Sequence, residues 1–343
     1  MGEERGRDGR LRPACILRVP FAADRRSLRG DPMKSFRAAA ACAVLVLLCA
    51  RPATCAPAGF AFLEVPAGAR ASALGGALVS LAQGVEAASW NPAGLEGVKG
   101  VEITGTHVEY MQTLRHEQFV VAGRVLGGGL AASLRALYSE PIEERDVLGN
   151  LIGSFGAHDL EFALAYGRQV APGLSVGGTV QALRERIADA SASTWAAGLG
   201  AAWAPACVSG LRLGLGAYNL GPPARFNLEG GPGAPVELPT AVQTGGSWQR
   251  AFARGAVLRT ALEGRFTRGR SGVGMLGVEL ATAGGANGAG AAVLRGGLRV
   301  NDDASSYSLG VGYALAGLRV DYAFVPLRLD LGDTHRISFT ARF

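Results

Sequence analysis

Arginines and carboxylates recur at alternate positions of apolar segments, and these side chains carry the most evident chemistry of the sequence. In residues 258–266 and 318–324, apolar residues alternate with charged, polar or small ones. Because successive side chains of a strand point to opposite faces, the charges share one face. We expect them to pair with one another and with Arg70 and Glu64, and a polar conduit is the alternative. The charged residues are Arg135, Asp159, Glu161, Arg212, Arg259, Glu263, Arg295, Arg299, Arg319 and Asp321.

A serine hydrolase acting on lipids is the enzyme class to weigh against this pattern. The histidines available to a catalytic serine are His107, His116, His158 and His335. None of them stands near a serine in a G-x-S-x-G elbow pattern, and Ser271 and Ser306 fall in expected loops. No His, Cys and carboxylate cluster has metal-ligand spacing, and no phosphate-binding loop is present. The sequence predicts a chain that is not an enzyme and has no cofactor, with lipid hydrolysis a remote alternative.

The net charge of +6 is concentrated at the N-terminus. Residues 1–58 hold 11 of the 34 basic residues and 5 of the 28 acidic ones, so the rest of the chain carries 23 of each. A neutral body offers no electrostatic basis for nucleic-acid binding. Of the 5 cysteines, only Cys207 follows residue 58, and one cysteine forms neither a disulfide nor a metal cluster.

The first 58 residues resemble an export leader with an extension ahead of it. The apolar run 38–50 follows the basic stretch 33–37 and precedes Ala56-Pro57-Ala58. A basic region, an apolar region and a small-residue cleavage site occur in this order in signal peptides. We therefore assign 33–58 as a signal peptide and 1–32 as an upstream stretch arising from a misassigned start, with a genuine basic extension as the alternative.

Residues 59–100 predict a small helical element that cannot form a core alone. Apolar residues recur at helical spacing from Ala71 to Leu81, and Gly84 is a helix stop. The Gly75-Gly76 pair allows close backbone approach, and Gly94 of the Asn91-Pro92-Ala93-Gly94 turn supplies a positive φ where one is needed. Because the apolar stripe is thin, we expect the rest of the chain to enclose this segment as a plug.

The body, residues 101–343, predicts an antiparallel transmembrane β-barrel of about fourteen strands. Long connections at 140–157, 219–238 and 325–333 alternate with tight ones such as 126–128 and 316–317, which places the long ones outside. A soluble sandwich or propeller would not need this alternation. The aromatic residues Tyr110, Tyr138, Tyr218, Phe266 and Phe324 are expected at outer strand ends, and Tyr166, Trp203, Trp248, Tyr313 and Phe343 at inner ends. The expected strand starts are Val101, His116, Gly128, His158, Leu174, Ser193, Gly210, Thr240, Gly255, Ser271, Ala291, Tyr307, Leu318 and Thr334.

Motifs at the two ends of this region resemble a known family. They are Phe62-Leu63, Gly68-Ala69-Arg70-Ala71, Gly75-Gly76-Ala77 and Asn91-Pro92-Ala93-Gly94-Leu95, then Asp321-Tyr322-Ala323-Phe324-Val325-Pro326 and Leu331-Gly332-Asp333-Thr334-His335-Arg336-Ile337-Ser338. Together they resemble the PorV/PorQ family of outer-membrane proteins, which is similar to the FadL transporters of hydrophobic compounds. The resemblance implies a fourteen-stranded barrel with an N-terminal plug, located in the outer membrane.

The resemblance leaves two functions open. One PorV/PorQ member is a component of type IX secretion, whereas FadL-like members pass fatty acids or hydrocarbons, so the partners are secretion proteins or a hydrophobic ligand. In FadL-like proteins the tripeptide matching Asn91-Pro92-Ala93 belongs to the plug. It could therefore act as a gate here, although it could equally only end the plug and lead into the first strand. The plug or gate candidates are Arg70, Gly75, Gly76, Asn91 and Pro92.

The last strand is predicted to end on an outward aromatic side chain. Ile337, Phe339, Ala341 and Phe343 alternate with polar residues and would face the outer-membrane lipid. A terminal aromatic residue in this register resembles the signal by which outer-membrane barrels engage their assembly machinery. We therefore expect Phe343 to be an assembly signal, and the assembly machinery to be a partner.

Overall fold

The computed structural model describes residues 59–110, 114–282, 290–328 and 331–343. The expected signal peptide and the stretch before it lie outside these residues, as does most of connection 282–290. The helices are α1 (Ala69–Ala73) and α2 (Ala87–Trp90), with 3₁₀ helices Ala61–Glu64, Gly84–Glu86, Pro92–Gly97 and Ala253–Gly255. The strands are β1 (Val101–Glu109), β2 (Arg115–Val125), β3 (Gly128–Tyr138), β4 (Ile142–Arg145), β5 (Leu151–Phe155), β6 (Ala157–Ala171), β7 (Leu174–Ile187), β8 (Ala190–Trp203), β9 (Leu211–Leu220), β10 (Ala224–Leu228), β11 (Gly231–Val236), β12 (Ala241–Ala251), β13 (Val257–Thr267), β14 (Val273–Ala281), β15 (Ala291–Val300), β16 (Tyr307–Leu315), β17 (Leu318–Pro326) and β18 (Asp333–Arg342).

Fourteen of these strands form a closed antiparallel barrel, as the sequence predicts. Strand β1 pairs with β2 on one side and with β18 on the other, so the sheet has no open edge at this junction. Unpaired backbone groups in hydrocarbon cost several kcal/mol each, and closure removes them. Every predicted strand start falls within three residues of an observed one.

The remaining four strands form two hairpins in connections that the sequence presented as plain loops. Strands β4 and β5 pair with each other between β3 and β6. Strands β10 and β11 pair with each other between β9 and β12, and β10 also touches β8. Both hairpins lie at the end of the barrel that carries the long connections. We call this the outer end, because the longer loops of such barrels are extracellular.

The two faces of the wall differ in polarity in the predicted way. On β15, Leu294 and Leu298 are exposed on the outer face, while Arg295 between them is buried. Two aromatic predictions are wrong, because Tyr110 and Tyr218 both line a cavity of the lumen. Tyr218 lies at an outer strand end but faces the lumen, where its hydroxyl donates to the Trp90 carbonyl oxygen of the plug. A buried tyrosine hydroxyl needs a partner, and here a plug carbonyl supplies it.

The core of the molecule lies in the lumen and is formed by the N-terminal segment. We call residues 60–98 the plug. Helix α1 packs on β15 to β18, whereas the 3₁₀ helix Pro92–Gly97 packs on β3, β6, β7 and β8. These strands form opposite arcs of the barrel wall. Leu74, Leu78, Val85 and Leu95 are fully or almost fully buried between the plug and the wall. No helix among the described residues is long and apolar enough to cross a membrane.

The predicted helix from Ala71 to Leu81 is wrong in its extent, because α1 ends at Ala73. Gly75 and Gly76 have φ values of 65° and 83°, which break the helix. The reason is the closeness of the wall. A Cβ on Gly75 would lie 3.3 Å from the backbone nitrogen and oxygen of Leu298 on β15. The helix therefore ends so that the backbone of this glycine pair can lie close to the wall, and the sequence did predict such a close approach.

Candidate functional site

Asn91 joins the plug to itself and to the barrel wall. Its Nδ2 donates to the carbonyl oxygens of Val79 at 2.8 Å and of Ala201 on β8 at 3.0 Å. Its Oδ1 accepts from the Ala93 N–H at 3.2 Å and so caps the 3₁₀ helix that begins at Pro92. The φ of −157° at Asn91 is extended, as expected before proline. We call residues 91–97 the Asn91 turn.

A row of glycines in the wall receives the Asn91 turn. The four are paired across neighbouring strands, from Gly129 on β3 to Gly167 on β6, Gly177 on β7 and Gly200 on β8. A Cβ on Gly167 would lie 1.9 Å from the Pro92 carbonyl oxygen, and a Cβ on Gly129 would lie 2.0 Å from that of Leu95. Real Cβ atoms do not approach so closely, so this glycine row fits the turn sterically.

Gly94 contributes to the same fit in an unexpected way. The sequence suggested that it supplies a positive φ, but it is not among the residues with positive φ. Instead, a Cβ on Gly94 would lie 2.1 Å from the Ala82 carbonyl oxygen. Glycine is required here because two plug segments cross closely, and the sign of its φ angle plays no part.

On the opposite arc, charged side chains join helix α1 to the wall. Arg70 contacts Glu86 within the plug at 2.9 Å and Glu279 of β14 at 2.8 Å. Glu279 also accepts from Arg259 at 2.6 Å and from Arg295 at 2.8 Å. Three guanidinium groups thus surround one buried carboxylate, which compensates its removal from water.

The same network continues along two further strands. Asp321 of β17 contacts Arg295 at 2.8 Å and Arg319 at 2.7 Å, and Arg319 also binds Glu86 of the plug. We call this network the ion-pair cluster. Its members are Arg70, Glu86, Arg259, Glu279, Arg295, Arg319 and Asp321. Arg70 and the lumen charges of this group were sequence candidates, whereas Glu86 and Glu279 were missed.

Two other predicted lumen charges, Arg135 and Arg299, pair outside the ion-pair cluster. Arg135 pairs with Glu161 at 3.0 Å, and Arg299 pairs with Asp302 at 2.8 Å while donating to the Gly75 carbonyl oxygen at 2.8 Å. The Nε of Arg212 is buried without a hydrogen-bond partner among the described residues. Charged side chains on the inner face of the wall therefore hold the plug at several points.

Glu263 of β13 holds plug backbone. Its carboxylate accepts from the N–H groups of Val79 at 3.0 Å and Ser80 at 2.9 Å, and from the Ser80 hydroxyl at 2.6 Å. The Gln243 amide donates to it as well, at 2.7 Å. A fully buried carboxylate that accepts four hydrogen bonds fixes the turn at residues 79–80 against the wall.

A cavity of about 470 Å³ lies above the plug, between it and the outer connections. Plug residues 61–67 and 88–90 form its floor. Apolar wall side chains, including Leu137, Val273 and Met275, alternate with charged ones around it. The charged lining residues are Glu64, Arg135, Glu161, Arg265, Arg270, Arg299, Asp302 and Arg336. The volume lies within the range of small-molecule sites.

Two of the candidate histidines have hydrogen-bond partners other than serine. His107 pairs with Glu117 at 2.6 Å on the outward face, and His335 hydrogen-bonds the Tyr322 hydroxyl at 2.8 Å. His116 is fully buried, and neither of its ring nitrogens has a hydrogen-bond partner in the part of the chain that the structure describes. Within that part, none of the hydrogen bonds of these rings involves a serine hydroxyl.

Phe343 ends the chain in the predicted register. The side chain is exposed, and its backbone N–H donates to the Val101 carbonyl oxygen at 2.9 Å. Ile337 and Phe339 are exposed on the same face, while Ser338 and Thr340 between them are buried. The register of the last strand is therefore as predicted, and the role of Phe343 as an assembly signal stays a prediction.

No protein-family model matches the sequence, and no curated protein matches it either. The toluene transporter TodX of Pseudomonas putida superposes with a TM-score of 0.55 at 12% identity, over 80% of this chain and 98% of that one. The Ralstonia pickettii toluene transporter TbuX superposes with a TM-score of 0.54 at 14% identity, over 80% of this chain and 98% of that one. The CymD monoaromatic hydrocarbon channel superposes with a TM-score of 0.55 at 13% identity, over 80% of this chain and 97% of that one. At such identities the likeness concerns the fold, and it does not extend to the narrower PorV/PorQ resemblance. This chain therefore shares the barrel fold of these three proteins.

Proposed function

We propose that this protein resides in the outer membrane and passes small hydrophobic molecules across it. The observation that carries the proposal is the cavity of about 470 Å³ above a plug that fills the lumen below it. A molecule from outside can occupy this cavity against apolar side chains such as Phe62 and Met275. Three structures with the same fold are described as toluene transporters or as a monoaromatic hydrocarbon channel, which supports this choice.

Passage beyond the cavity requires the plug to move, because its residues form the cavity floor. The two sides of the plug are held differently. The Asn91 turn fits a row of glycines without room for a Cβ. The α1 segment also meets a wall glycine, Gly297, and is held in addition by charged side chains that can exchange partners. We place the opening on the α1 side, since a guanidinium can rotate between carboxylates without a steric clash.

A cavity-filling substitution tests the proposal. Ser133 lines the cavity, and Ser133→Trp puts a large side chain into it. Leu134→Trp is the matched control, because Leu134 is the next residue of β3 and is 50% exposed on the outward face. Uptake of radiolabelled toluene is measured in cells that lack other hydrocarbon channels, at equal amounts of assembled barrel.

We expect Ser133→Trp to reduce the initial rate of toluene uptake by about tenfold or more, because one buried indole occupies much of a site of this size. Leu134→Trp should leave uptake within about twofold of the wild type. Equal uptake by both variants and the wild type would contradict passage through the cavity.

A secretion-system component is the second candidate, and the β4–β5 hairpin favours it. Val147 and Leu148 at its tip are almost completely exposed. Asp146 fixes this tip by accepting from the N–H groups of Leu148 and Asn150, both at 2.9 Å. A rigid turn that presents two aliphatic side chains suits contact with another protein. If this role holds, the double substitution Val147→Asn and Leu148→Asn should reduce protein secretion by the source cells and leave toluene uptake unchanged.

A further inference from the structure

The outward face of the barrel carries two arginines without an acidic partner near the outer end of β7. Arg184 and Arg186 are both exposed and occupy successive outward positions of that strand. Among the described residues, their guanidinium groups make one hydrogen bond, from the Arg186 Nε to the Ala188 carbonyl oxygen at 2.9 Å, and form no ion pair. Same-face positions of a strand are about 7 Å apart, so these two long side chains can reach a common group.

Charged side chains near the outer end of the neighbouring strands have partners. On β1 and β2, His107 contacts Glu117 at 2.6 Å, and Arg115 contacts Glu140 at 2.7 Å. The acids in the outer half of β6 and β7 all belong to the inward face, so they do not compensate Arg184 and Arg186. These acids are Asp159, Glu161 and Glu185. The positive charge of the two arginines is therefore available to a group outside the described chain.

Two aromatic side chains lie one step below the arginines on the same face. In the register of β6, β7 and β8, Phe162 and Trp195 are the cross-strand neighbours of Ala182. Phe162 is 51% exposed and Trp195 is 60% exposed. Because a small alanine separates two large rings, the surface forms a narrow apolar groove that ends at Arg184.

This groove lies at the outer edge of the apolar band. Trp203, at the inner end of β8, is eight residues from Trp195 on the same outward face. With strands tilted by about 40°, this separation spans about 20 Å of height, close to an apolar band that is about 25 Å tall and flanked by aromatic girdles. Phe162 and Trp195 thus mark the outer girdle, and Arg184 and Arg186 lie just above it, at the level of the lipid head groups.

We propose that this site binds a phosphate-bearing lipid of the outer leaflet, with the phosphate at Arg184 and Arg186 and an acyl chain in the groove over Ala182. A phosphate monoester carries up to two negative charges and three strong acceptor oxygens, so it can accept from two guanidinium groups at once. The rings of Phe162 and Trp195 contact the acyl chain on its two sides. The inference rests on the proposed function only in placing the barrel in the outer membrane, and it concerns the outward face of the wall, apart from the cavity.

Quenching of Trp195 fluorescence by brominated lipids tests this inference on the full-length barrel in vesicles. The substitutions Trp203→Phe and Trp248→Phe leave Trp195 as the lipid-facing tryptophan, since Trp90 is buried in the plug. Vesicles of phosphatidylcholine contain a small fraction of phosphatidic acid with brominated acyl chains, or the same fraction of brominated phosphatidylcholine. We expect brominated phosphatidic acid to associate with the site about fivefold or more strongly, because two arginines bind its head group.

Substitutions then assign the preference to the two arginines. The double variant Arg184→Gln and Arg186→Gln should bind the two brominated lipids equally within about twofold. Arg168→Gln is the matched control, because Arg168 is exposed on the outward face of β6 but lies at its inner end. It should keep the full preference at Trp195. Heat-modifiable migration in gels verifies that each variant is folded.

Three outcomes would overturn the inference. One is equal quenching by the two brominated lipids in the parent barrel. Another is a preference that survives in the double variant or falls equally in Arg168→Gln, which would indicate attraction by overall charge. The third is loss of the preference when inorganic phosphate is added at constant ionic strength, which would indicate a site for the bare anion.

None of these outcomes affects toluene passage, since the Ser133→Trp experiment measures passage independently. Conversely, unchanged uptake in Ser133→Trp would contradict passage through the cavity and leave the lipid preference at Trp195 intact.

Discussion

The plug is held on two opposite arcs of the barrel by two different kinds of contact. On one arc, the Asn91 turn meets a row of glycines whose missing side chains leave space for its backbone. On the other, α1 is joined to the wall through the ion-pair cluster around Glu279. The first contact depends on shape and tolerates almost no added atom. The second combines shape with charge, since a Cβ on Gly297 of β15 would lie 2.1 Å from the Gly75 backbone nitrogen, and its ion pairs can exchange partners.

The ion-pair cluster is what distinguishes the α1 side, because both sides pack against wall glycines. Backbone that packs directly on backbone has no alternative position within the barrel, so a shift loses the whole contact. An ion-pair cluster with several arginines and carboxylates has alternative pairings of similar energy, although the loss of one member leaves the others buried and unpaired. The comparison therefore predicts large steric effects on the Asn91 side and effects on gating on the α1 side.

The largest effect is expected from a side chain added to the glycine row. Gly167→Val places a branched Cβ only 1.9 Å from the Pro92 carbonyl oxygen. We expect the free energy of unfolding to fall by more than about 3 kcal/mol. Overpacking costs more than usual here, because the added side chain meets backbone atoms that cannot move aside. Gly105→Val is the control, since a Cβ there meets no atom within 4 Å. Urea unfolding of the two variants measures the difference, and equal stability would remove the steric side of the comparison.

A comparable loss of stability, with a gain in opening, is expected on the α1 side. Glu279→Gln removes the charge that Arg70, Arg259 and Arg295 share. We expect about 3–5 kcal/mol of destabilisation and frequent channel openings in planar bilayers, because three guanidinium groups lose the carboxylate that they share. Glu237→Gln is the control, as its pair with Arg268 is exposed and such pairs contribute little. Stable closure of the Glu279→Gln channel would show that this cluster does not hold the plug.

Loss of the Asn91 hydrogen bonds should destabilise the protein less than Gly167→Val or Glu279→Gln. Asn91→Ala leaves the carbonyl oxygens of Val79 and Ala201 without their donor, which costs about 1–3 kcal/mol. The glycine row still fits the turn, so channel openings should stay as rare as in the wild type. Thermal unfolding and single-channel recording test the two halves of this expectation. Frequent openings in Asn91→Ala would make the turn a gate and reverse the assignment of the two sides.

The smallest effect on the plug is expected at the C-terminus, which touches neither side. Deletion of Phe343 removes one exposed aromatic contact, worth about 1.5–3 kcal/mol in refolding from urea. It should leave channel conductance unchanged but sharply reduce the amount of assembled barrel in cells. Comparable losses in refolding and in cells would show that Phe343 serves stability, and normal assembly in cells would argue against a recognition role.

The wall could be predicted from the sequence because each strand carries its own signal. The alternation of Leu318 and Val320 with Arg319 and Asp321 fixes both the strand and its inward face. The hairpins escaped prediction because strands that pair only with each other, such as Ile142–Arg145, are short and exposed on both faces. Their pattern therefore does not differ from that of a loop.

The plug was harder to predict because its conformation is set by contacts far away in sequence. Helical spacing continued past Gly75, yet the backbone of β15 stops the helix there. The glycine row was visible only as scattered glycines, and only strand register shows that Gly129, Gly167 and Gly177 are neighbours. Glu86 and Glu279 were missed for the same reason, since their arginine partners are set by the fold.

Single-channel conductance of a plug-deleted barrel tests most directly the central claim that the N-terminal segment closes the lumen. The variant lacks residues 59–97, keeps the leader and retains all fourteen barrel strands. Recorded in planar bilayers beside the wild type, it should show a steady conductance well above the wild-type level, because the plug leaves a lumen lined by charged side chains. Unchanged conductance from a folded barrel would mean that side chains of the wall close the pore by themselves, and would contradict the account.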